Sequence, residues 1–255
     1  MPAINPIVLN SLSDLQPALY WLDADPLEPD SHSSLTSEIK TDLCIVGAGY
    51  TGLWTALLAK ERDPKREVVI IEQRETGNGA SGRNGGFCNG SLTHGFVNGY
   101  TRFADEMVTI EKLGRQNLDA IEETIKKYKI DCDFERNGEL RVAVAPWQMA
   151  GLKEEAVARN KTGDQVEVLS KEEIRALVKS PIYEGALFDH DGTALVDPAR
   201  LVWGLEKVCL SLGVKIYENS KVEELIQDGD QVIVKSAYGS IRANKVALAT
   251  NIYTP

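Results

Sequence analysis

The fold of this chain is decided by residues 42–54, which read Asp-Leu-Cys-Ile-Val-Gly-Ala-Gly-Tyr-Thr-Gly-Leu-Trp. The segment 43–46 is an apolar run typical of a buried parallel strand, and apolar residues recur at helical spacing after the glycines. Gly47, Gly49 and Gly52 have the spacing of the dinucleotide-binding fingerprint. The stretch therefore predicts a strand, a tight turn and a helix whose N-terminus faces phosphate groups.

A second apolar run strengthens this interpretation. Residues 67–72 read Glu-Val-Val-Ile-Ile-Glu and end in Glu72. In dinucleotide-binding folds a carboxylate about 20 residues past the glycines binds the ribose hydroxyls. A glycine triplet alone is weak evidence, because many turns resemble it, but the second strand and the acid make it strong. The uncharged run 43–59 is shorter than the roughly 18 residues of a membrane span, and its glycines favour a turn.

Composition and charge argue against several classes of protein. The chain has 255 residues with 43% hydrophobic content, enough for one large domain or two interleaved ones. Its formal net charge is −10 and its pI is about 4.9. Nucleic acids and anionic membranes select basic surfaces, so neither is an expected partner. Residues 1–39 contain no Lys or Arg, which is unlike a secretory signal or a transit peptide and predicts a cytoplasmic location.

The cysteines and histidines do not form a recognisable metal motif. The residues concerned are Cys44, Cys88, Cys132, Cys209, His32, His94 and His190. The cysteines lack CxxC spacing and are expected to be small buried side chains. Three histidines are too few for a histidine-rich metal centre, so we expect no metal.

A second glycine-rich segment changes the expected cofactor. Residues 77–87 read Gly-Asn-Gly-Ala-Ser-Gly-Arg-Asn-Gly-Gly-Phe, with five glycines that leave many backbone N–H groups free to approach a ligand. A nicotinamide-binding Rossmann domain does not require this loop. The extended cofactor FAD does, since its pyrophosphate and its flavin ring both need close backbone contact. A flexible surface loop is the alternative, but Arg83 and Asn84 among the glycines favour a ligand.

The middle of the chain predicts helices and strands of a different kind. Residues 103–128 predict a long amphipathic helix whose apolar stripe belongs to the core. The stripe consists of Met107, Ile110, Leu113, Leu118, Ile121 and Ile125. Residues 140–144 alternate like a half-buried strand and precede a helix over 147–160. Ser170 and Glu173 form a capping box that begins a short helix.

The last third returns to the first pattern. Asp197-Pro198 supplies an N-cap and a proline at the first helical position, and Gly213 ends that helix. Strands are then predicted at residues 214–217, 222–226, 231–236 and 245–251. We expect an N-terminal extension over residues 1–39, a discontinuous nucleotide domain over 40–90 and 196–255, and an α+β insertion over 91–195.

Together these motifs resemble the D-amino-acid oxidase-like family of FAD-dependent oxidoreductases, in particular the amine-oxidising branch that contains γ-glutamylputrescine oxidase-like enzymes. The segments that carry the resemblance are residues 20–22, 47–54, Glu72, 79–87, 197–201 and 249–251. It implies an α/β fold, with a Rossmann-like FAD/NAD(P)-binding domain built on a parallel sheet and interrupted by a partial substrate or cap domain. The match covers nearly the whole chain but only the N-terminal part of the family's length, so we expect a truncated product or one part of a longer protein.

The resemblance also implies a set of FAD-binding residues. Those expected at the pyrophosphate are Gly47, Gly49, Tyr50, Thr51 and Gly52; at the adenosine ribose, Glu72 with Gln73 and Arg74 beside it; towards the flavin, Gly79, Ala80, Ser81, Gly82, Arg83, Asn84, Gly85 and Gly86; at the adenine, Val222; and along the far side of the dinucleotide, Ala249 and Thr250. Some relatives bind flavin covalently through a histidine in the second loop. This chain has none there, which argues against covalent attachment at that point.

The implied activity is oxidation of the C–N bond of a small amine or amino acid by hydride transfer to flavin. No catalytic base can be named from the sequence. Two alternatives stay open at this stage. One is a non-catalytic fragment that binds flavin or nucleotide, and the other is an NAD-dependent dehydrogenase, for which Glu72 would suit NAD better than NADP.

Overall fold

In the computed structural model the described residues are 13, 19–23 and 31–254. They divide into two units, the first formed by Met1–Arg83 with Cys209–Pro255 and the second by Asn84–Val208. Most of the expected N-terminal extension lies outside the described residues, apart from a short helix, α1 (Tyr20–Asp23), and the segment before the first strand. Within the described residues no helix is both long and apolar enough to cross a membrane.

The first unit is built on one six-stranded sheet. Its elements are β1 (Glu38–Val46), α2 (Tyr50–Arg62), β2 (Val68–Ile71), β8 (Lys215–Tyr217), β9 (Val222–Asp228), β10 (Gln231–Ser236) and β11 (Ser240–Leu248). The strand order is β8-β2-β1-β11-β10-β9. Strands β8, β2, β1 and β11 pair in parallel. Strands β10 and β9 extend the sheet as an antiparallel meander. This confirms the predicted α/β, Rossmann-like fold.

Strand β11 differs from its predicted bounds, residues 245–251, at both ends, since it spans Ser240–Leu248. It begins at Ser240 rather than Lys245, and all nine of its residues form a single strand. Its first half pairs antiparallel with β10, while the strand as a whole runs parallel to β1. The polar residues from Arg242 to Lys245 interrupt the apolar pattern, so sequence periodicity does not reveal that the two halves are continuous.

The core of the first unit forms on the faces of this sheet. Every residue of β2 is buried, as expected for a strand covered on both faces in a parallel sheet. Leu53, Ala56 and Leu57 are the buried residues of the α2 face that packs on the sheet. Burying a side chain of leucine size stabilises the fold by about 1.5–3 kcal/mol. This packing holds the turn between β1 and α2 in place.

The second unit contains two small antiparallel sheets and several helices. In chain order these are β3 (Phe87–Asn89), α3 (Phe96–Arg102), α4 (Met107–Tyr128), β4 (Glu139–Ala143), α5 (Gln148–Lys161), β5 (Val166–Leu169), α6 (Lys171–Leu177), β6 (Gly185–Asp189), β7 (Thr193–Leu195) and α7 (Pro198–Ser211). The larger sheet has the order β4-β6-β5, and β3 pairs with β7. The buried residues of this unit include the charged side chains of Glu111 and Asp164.

Two helix caps follow the sequence prediction. The Ser170 hydroxyl accepts the Glu173 N–H at 3.3 Å, and the Glu173 carboxylate accepts the Ser170 N–H at 2.7 Å. These hydrogen bonds hold the pKa of Glu173 below its ordinary value. At the start of α7 the Asp197 carboxylate accepts the N–H groups of Ala199 and Arg200 at 2.9 and 3.0 Å. Both caps form from neighbouring residues, which is why the sequence alone reveals them.

The long helix α4 differs from its prediction in its start and in its buried face. It begins at Met107, and a separate helix, α3, precedes it. The side chain of Leu113 is 50% exposed, so its assignment to the core is wrong. The buried residues are Met107, Glu111, Gly114, Leu118 and Ile125. One acid therefore lies on the buried face of an otherwise apolar stripe.

All four cysteines are free thiols, as expected. Cys44, Cys132 and Cys209 are buried, whereas Cys88 is only half-buried and departs from the prediction. Burial raises the pKa of Cys44 to about 12. Burial, together with nearby carboxylates including Asp131, raises the pKa of Cys132 to about 12 as well.

Candidate cofactor site

Several predicted site residues of the first unit, namely Gly47, Glu72 and Ala249, directly follow the carboxyl ends of its parallel strands. Val46, the last residue of β1, is paired with Ile71 of β2 and with Leu248 of β11. The Gly47 N–H donates to the Ile71 carbonyl at 2.9 Å, and the Ala249 N–H donates to the Val46 carbonyl at 2.8 Å. Ligands of open α/β sheets bind outside this edge.

Two positions of the first turn require glycine. Gly47 has a φ of 110°, and a Cβ atom there would lie 2.6 Å from the Ala249 carbonyl oxygen. A Cβ atom on Gly52 would overlap the carbonyl oxygen of Gly47, so helix α2 packs directly against the turn backbone. These contacts are the tight turn and the close helix packing that the fingerprint predicts.

The N-terminus of α2 is suited to an anion. Its N-cap is Gly49, which offers no side chain to cap the helix, and its first turn contains no acidic residue. The positive end of the helix dipole and its N–H groups favour a phosphate there. The residues present therefore fit the pyrophosphate of a dinucleotide.

The second glycine loop lies against this helix N-terminus. The Tyr50 N–H donates to the Ser81 hydroxyl oxygen at 2.9 Å. A Cβ atom on Gly49 would lie 2.9 Å from the same oxygen, so a larger residue there would require the Ser81 side chain to shift. The structure thus brings together two glycine segments that lie about 30 residues apart in the sequence. Their proximity is what an extended dinucleotide needs.

Backbone hydrogen bonds order the second loop. The Gly77 N–H donates to the Ala48 carbonyl at 3.1 Å, and the Gly82 N–H donates to the Gly77 carbonyl at 3.0 Å. Residues Ala80–Gly82 form one turn of 3₁₀ helix. The Arg83 guanidinium donates to the Asn78 side-chain oxygen at 3.0 Å, so it is held within the loop. The alternative of a loop without its own structure is therefore not supported.

Glu72 makes a structural contact that the sequence did not indicate. One carboxylate oxygen accepts the Ala48 N–H at 2.8 Å, and the other accepts the Arg74 N–H at 3.0 Å. The carboxylate therefore fixes the first glycine turn from the end of the neighbouring strand. The signal for this contact is the parallel pairing of β1 with β2, which places residues 48 and 72 side by side just past the strand ends.

Three of the predicted residues belong to the second unit. Asn84, Gly85 and Gly86 follow the boundary at Arg83. The Asn84 side chain accepts the Gly86 N–H at 2.9 Å, and the Gly86 carbonyl accepts the Val196 N–H at 2.9 Å. Gly86 has a φ of 77°, a backbone conformation that favours glycine at this position. The predicted set is thus divided between the two units.

The remaining predicted residues lie around the first turn or on the sheet. Val222 begins β9 and packs on the apolar cluster that contains Val46 and Ile71. Thr250 follows Ala249 and precedes a 3₁₀ turn, Asn251–Tyr253. Several other predicted residues are exposed to solvent: Thr51, Gln73, Arg74, Gly79 and Ala80.

Comparison with known proteins decides the family. Residues 42–255 match the family model described as FAD dependent oxidoreductase, DAO. The chain belongs to this FAD-dependent oxidoreductase family. The resemblance predicted from the two glycine segments is confirmed, and FAD is the cofactor that the family membership assigns. An NAD-dependent dehydrogenase is not supported.

Two relatives are longer than the segment that they share with this chain. The gamma-glutamylputrescine oxidoreductase of Escherichia coli (strain K12) is 37% identical over 230 residues, which cover 86% of this chain and 51% of that protein. The sarcosine oxidase subunit beta of Rhodobacter capsulatus is 26% identical over 216 residues, which cover 81% of this chain and 49% of that protein. The chain spans about half the length of the curated relatives it matches.

A solved structure supports the fold. Glycine oxidase from Geobacillus kaustophilus superposes with a TM-score of 0.67 at 21% identity, over 83% of this chain and 55% of that one. At this identity the likeness shows the fold alone. It agrees with the Rossmann-like sheet of the first unit.

Proposed function

We propose that the two glycine segments hold FAD, with its pyrophosphate at the N-terminus of α2 and its adenosine ribose at Glu72. The observation that carries this proposal is the hydrogen bond between the Tyr50 N–H and the Ser81 hydroxyl. It places the second loop at the N-terminus of α2, whose N-cap residue Gly49 supplies no side-chain cap and where a negatively charged group is stabilised. The remaining members of the predicted set, including Val222 and Thr250, are part of the same proposal.

We further propose that the whole protein oxidises the C–N bond of a small amine or amino acid. The names of the relatives support this class, since they include a gamma-glutamylputrescine oxidoreductase and a sarcosine oxidase subunit. Bound FAD would supply the hydride acceptor for oxidation at the carbon next to the nitrogen, and the imine product would be hydrolysed by water. The residues of this chain bind and orient the cofactor. A cytoplasmic location, expected from residues 1–39, stays a prediction.

Flavin binding is tested first, with the absorbance spectrum of the purified chain after FAD is added and the excess removed. We expect retained yellow flavin. Glu72→Gln is expected to weaken FAD binding about 10- to 100-fold, since a hydrogen bond to a charged group contributes roughly 1.5–3 kcal/mol. The matched control is Glu67→Gln, which changes an exposed acid at the opposite end of β2.

The structural role of Glu72 requires a second measurement. Because its carboxylate also accepts the Ala48 N–H, the melting temperature of the FAD-free variant reports damage to the turn separately. Unchanged FAD affinity in Glu72→Gln would show that the ribose assignment is wrong. A colourless chain that binds NAD tightly would contradict the assignment of FAD to this site.

Turnover is tested separately, by anaerobic addition of a panel of amines and amino acids to the full-length protein. We expect the flavin absorbance to bleach with at least one of them. Retained flavin without bleaching by any compound would favour the second candidate, a part of the protein that binds FAD without turnover. The coverage of about half of the relatives is the observation that favours this candidate.

A further inference from the structure

The second unit contains a polar cavity that the flavin proposal does not use. Its volume is about 700 Å³, within the range of sites that bind small molecules. It is bordered by helices α4 and α5, by strands β4 and β6, and by the loops that follow β3 and α5. The charged residues that line it are Glu111, Arg115, Glu139, Arg141, Arg159, Asp164, Asp189 and Asp191.

The positive groups of the cavity already have partners. Asp164 pairs with Arg115 through one oxygen and with the Arg159 Nε at 2.8 Å through the other. Arg159 also pairs with Asp189. Arg141 pairs with Glu155. The three guanidinium groups are therefore neutralised by carboxylates of the protein.

Glu111 is the exception among the buried acids of this lining. Only 8% of its surface is exposed, and no described residue donates a hydrogen bond to its carboxylate or forms an ion pair with it. Burial raises the pKa of Glu111, Arg159 and Arg115 oppose that effect, and Asp189 adds to it. The Glu111 oxygens are not sealed in the interior, and the residue lines the cavity. The cavity therefore contains an acceptor that lacks a partner.

Helix packing directs Glu111 to this place. Glu111 lies on the buried face of α4, one turn before Gly114. A Cβ atom on Gly114 would overlap the Gly90 carbonyl oxygen, so α4 lies directly against the Gly90 backbone, which also lines the cavity. Asn89 and Ser91 on either side of Gly90 add neutral polar groups to the same wall.

The chemistry of the lining favours a cation. Among the described residues that line the cavity, five carboxylates face three guanidinium groups. A metal ion is disfavoured, because among these residues Glu111 belongs to no group of three Asp, Glu, His or Cys ligand atoms within 4.8 Å of one another. An organic ammonium ion needs only one carboxylate and a few neutral acceptors.

We propose that this cavity binds a small primary ammonium compound, with the Glu111 carboxylate as its counter-ion. The proposal goes beyond the flavin site and does not rest on it, because the lining residues all belong to the second unit. Binding supplies Glu111 with the donor that it lacks in the protein alone.

The test is calorimetric titration of the purified full chain with n-butylammonium chloride, with n-butanol as the neutral ligand of matched shape. We expect saturable binding of the amine and none of the alcohol. Glu111→Gln is expected to weaken amine binding about tenfold or more, since it removes a charge-assisted hydrogen bond. The matched control is Glu123→Gln, an exposed acid on the same helix, which is expected to leave the affinity unchanged.

Two further measurements keep the test decisive. Glu111→Asp retains the charge on a shorter side chain and is expected to bind the amine more tightly than Glu111→Gln does. Hydrogen exchange of the unmodified chain is expected to show amine-dependent protection in residues 107–115. Equal binding of amine and alcohol, unchanged affinity in Glu111→Gln, or protection confined to other segments would overturn the proposal. Because no arm requires flavin or turnover, failure here is distinguishable from failure of the flavin proposal.

Discussion

The two units place their polar groups in opposite ways. In the first, the candidate site is made mainly of backbone N–H groups from two short glycine segments, at the edge of a sheet whose strand β2 is wholly buried. In the second, charged side chains from separate helices and strands meet in the interior, as with Arg159 and Asp189. The first arrangement is encoded by local sequence, whereas the second exists only after the chain has folded.

The difference has a physical basis. A glycine turn needs a particular backbone conformation, and a few consecutive residues determine it. An interior ion pair is stable only when its geometry is good and its other hydrogen bonds are made, and this depends on every element around it. We therefore expect the two units to respond differently to substitution.

The largest effect is expected when the ion network of the second unit is broken. The Asp164 side chain is 6% exposed and binds two arginines. Asp164→Ala leaves both guanidinium groups without this partner and is expected to lower the free energy of unfolding by about 3 kcal/mol. The measurement is urea denaturation. As a control, Glu224→Ala removes the exposed pair with Lys235 and should cost less than about 1 kcal/mol. Equal losses in both variants would show that the network is not a special feature of this unit.

A smaller effect is expected at the glycine turn of the first unit. Gly52→Ala places a methyl group against the Gly47 carbonyl and is expected to lower the free energy of unfolding by about 2 kcal/mol. FAD affinity should fall with it, because the turn must shift. Gly79→Ala is the matched control for stability alone, since its Cβ meets nothing within 4 Å. Its effect should stay within about 0.5 kcal/mol. A stable Gly52→Ala protein would contradict the observed packing of α2 on the turn.

The smallest effect concerns the charge of Glu111 and depends on pH. A carboxyl group with a raised pKa in the folded state favours its protonated form, so it destabilises the fold as pH rises from its unfolded pKa through the folded one. Glu111→Gln removes this loss. The free energy of unfolding of this variant should match that of the unmodified protein in acid. Near neutral pH it should be higher, by at most about 1 kcal/mol. The melting temperature, measured across this pH range, reports the difference. A difference that shrinks as pH rises would contradict the raised pKa.

Much of the first unit could be predicted because its signals are local. The strand, turn and helix from Asp42 to Trp54 follow from apolar spacing and glycines. The same holds for two features of the second unit, the caps at Ser170 and Asp197, which follow from neighbouring residues. The continuity of β11 could not be predicted, since it depends on pairing with β1 along the strand and with β10 over its first half. The contact of Glu72 with Ala48 also required knowledge of which strands are adjacent.

The sequence by itself determined the dinucleotide-binding turn, the second glycine loop and, through them, the family and its cofactor. These depend on backbone conformations that short segments specify. Only the tertiary structure decided that Ser81 meets the N-terminus of α2, and that Glu111 rather than Leu113 is on the buried face of α4. Which face of a helix is buried, and which charges pair, depends on elements distant in sequence, because the helix packs against all of its neighbours at once.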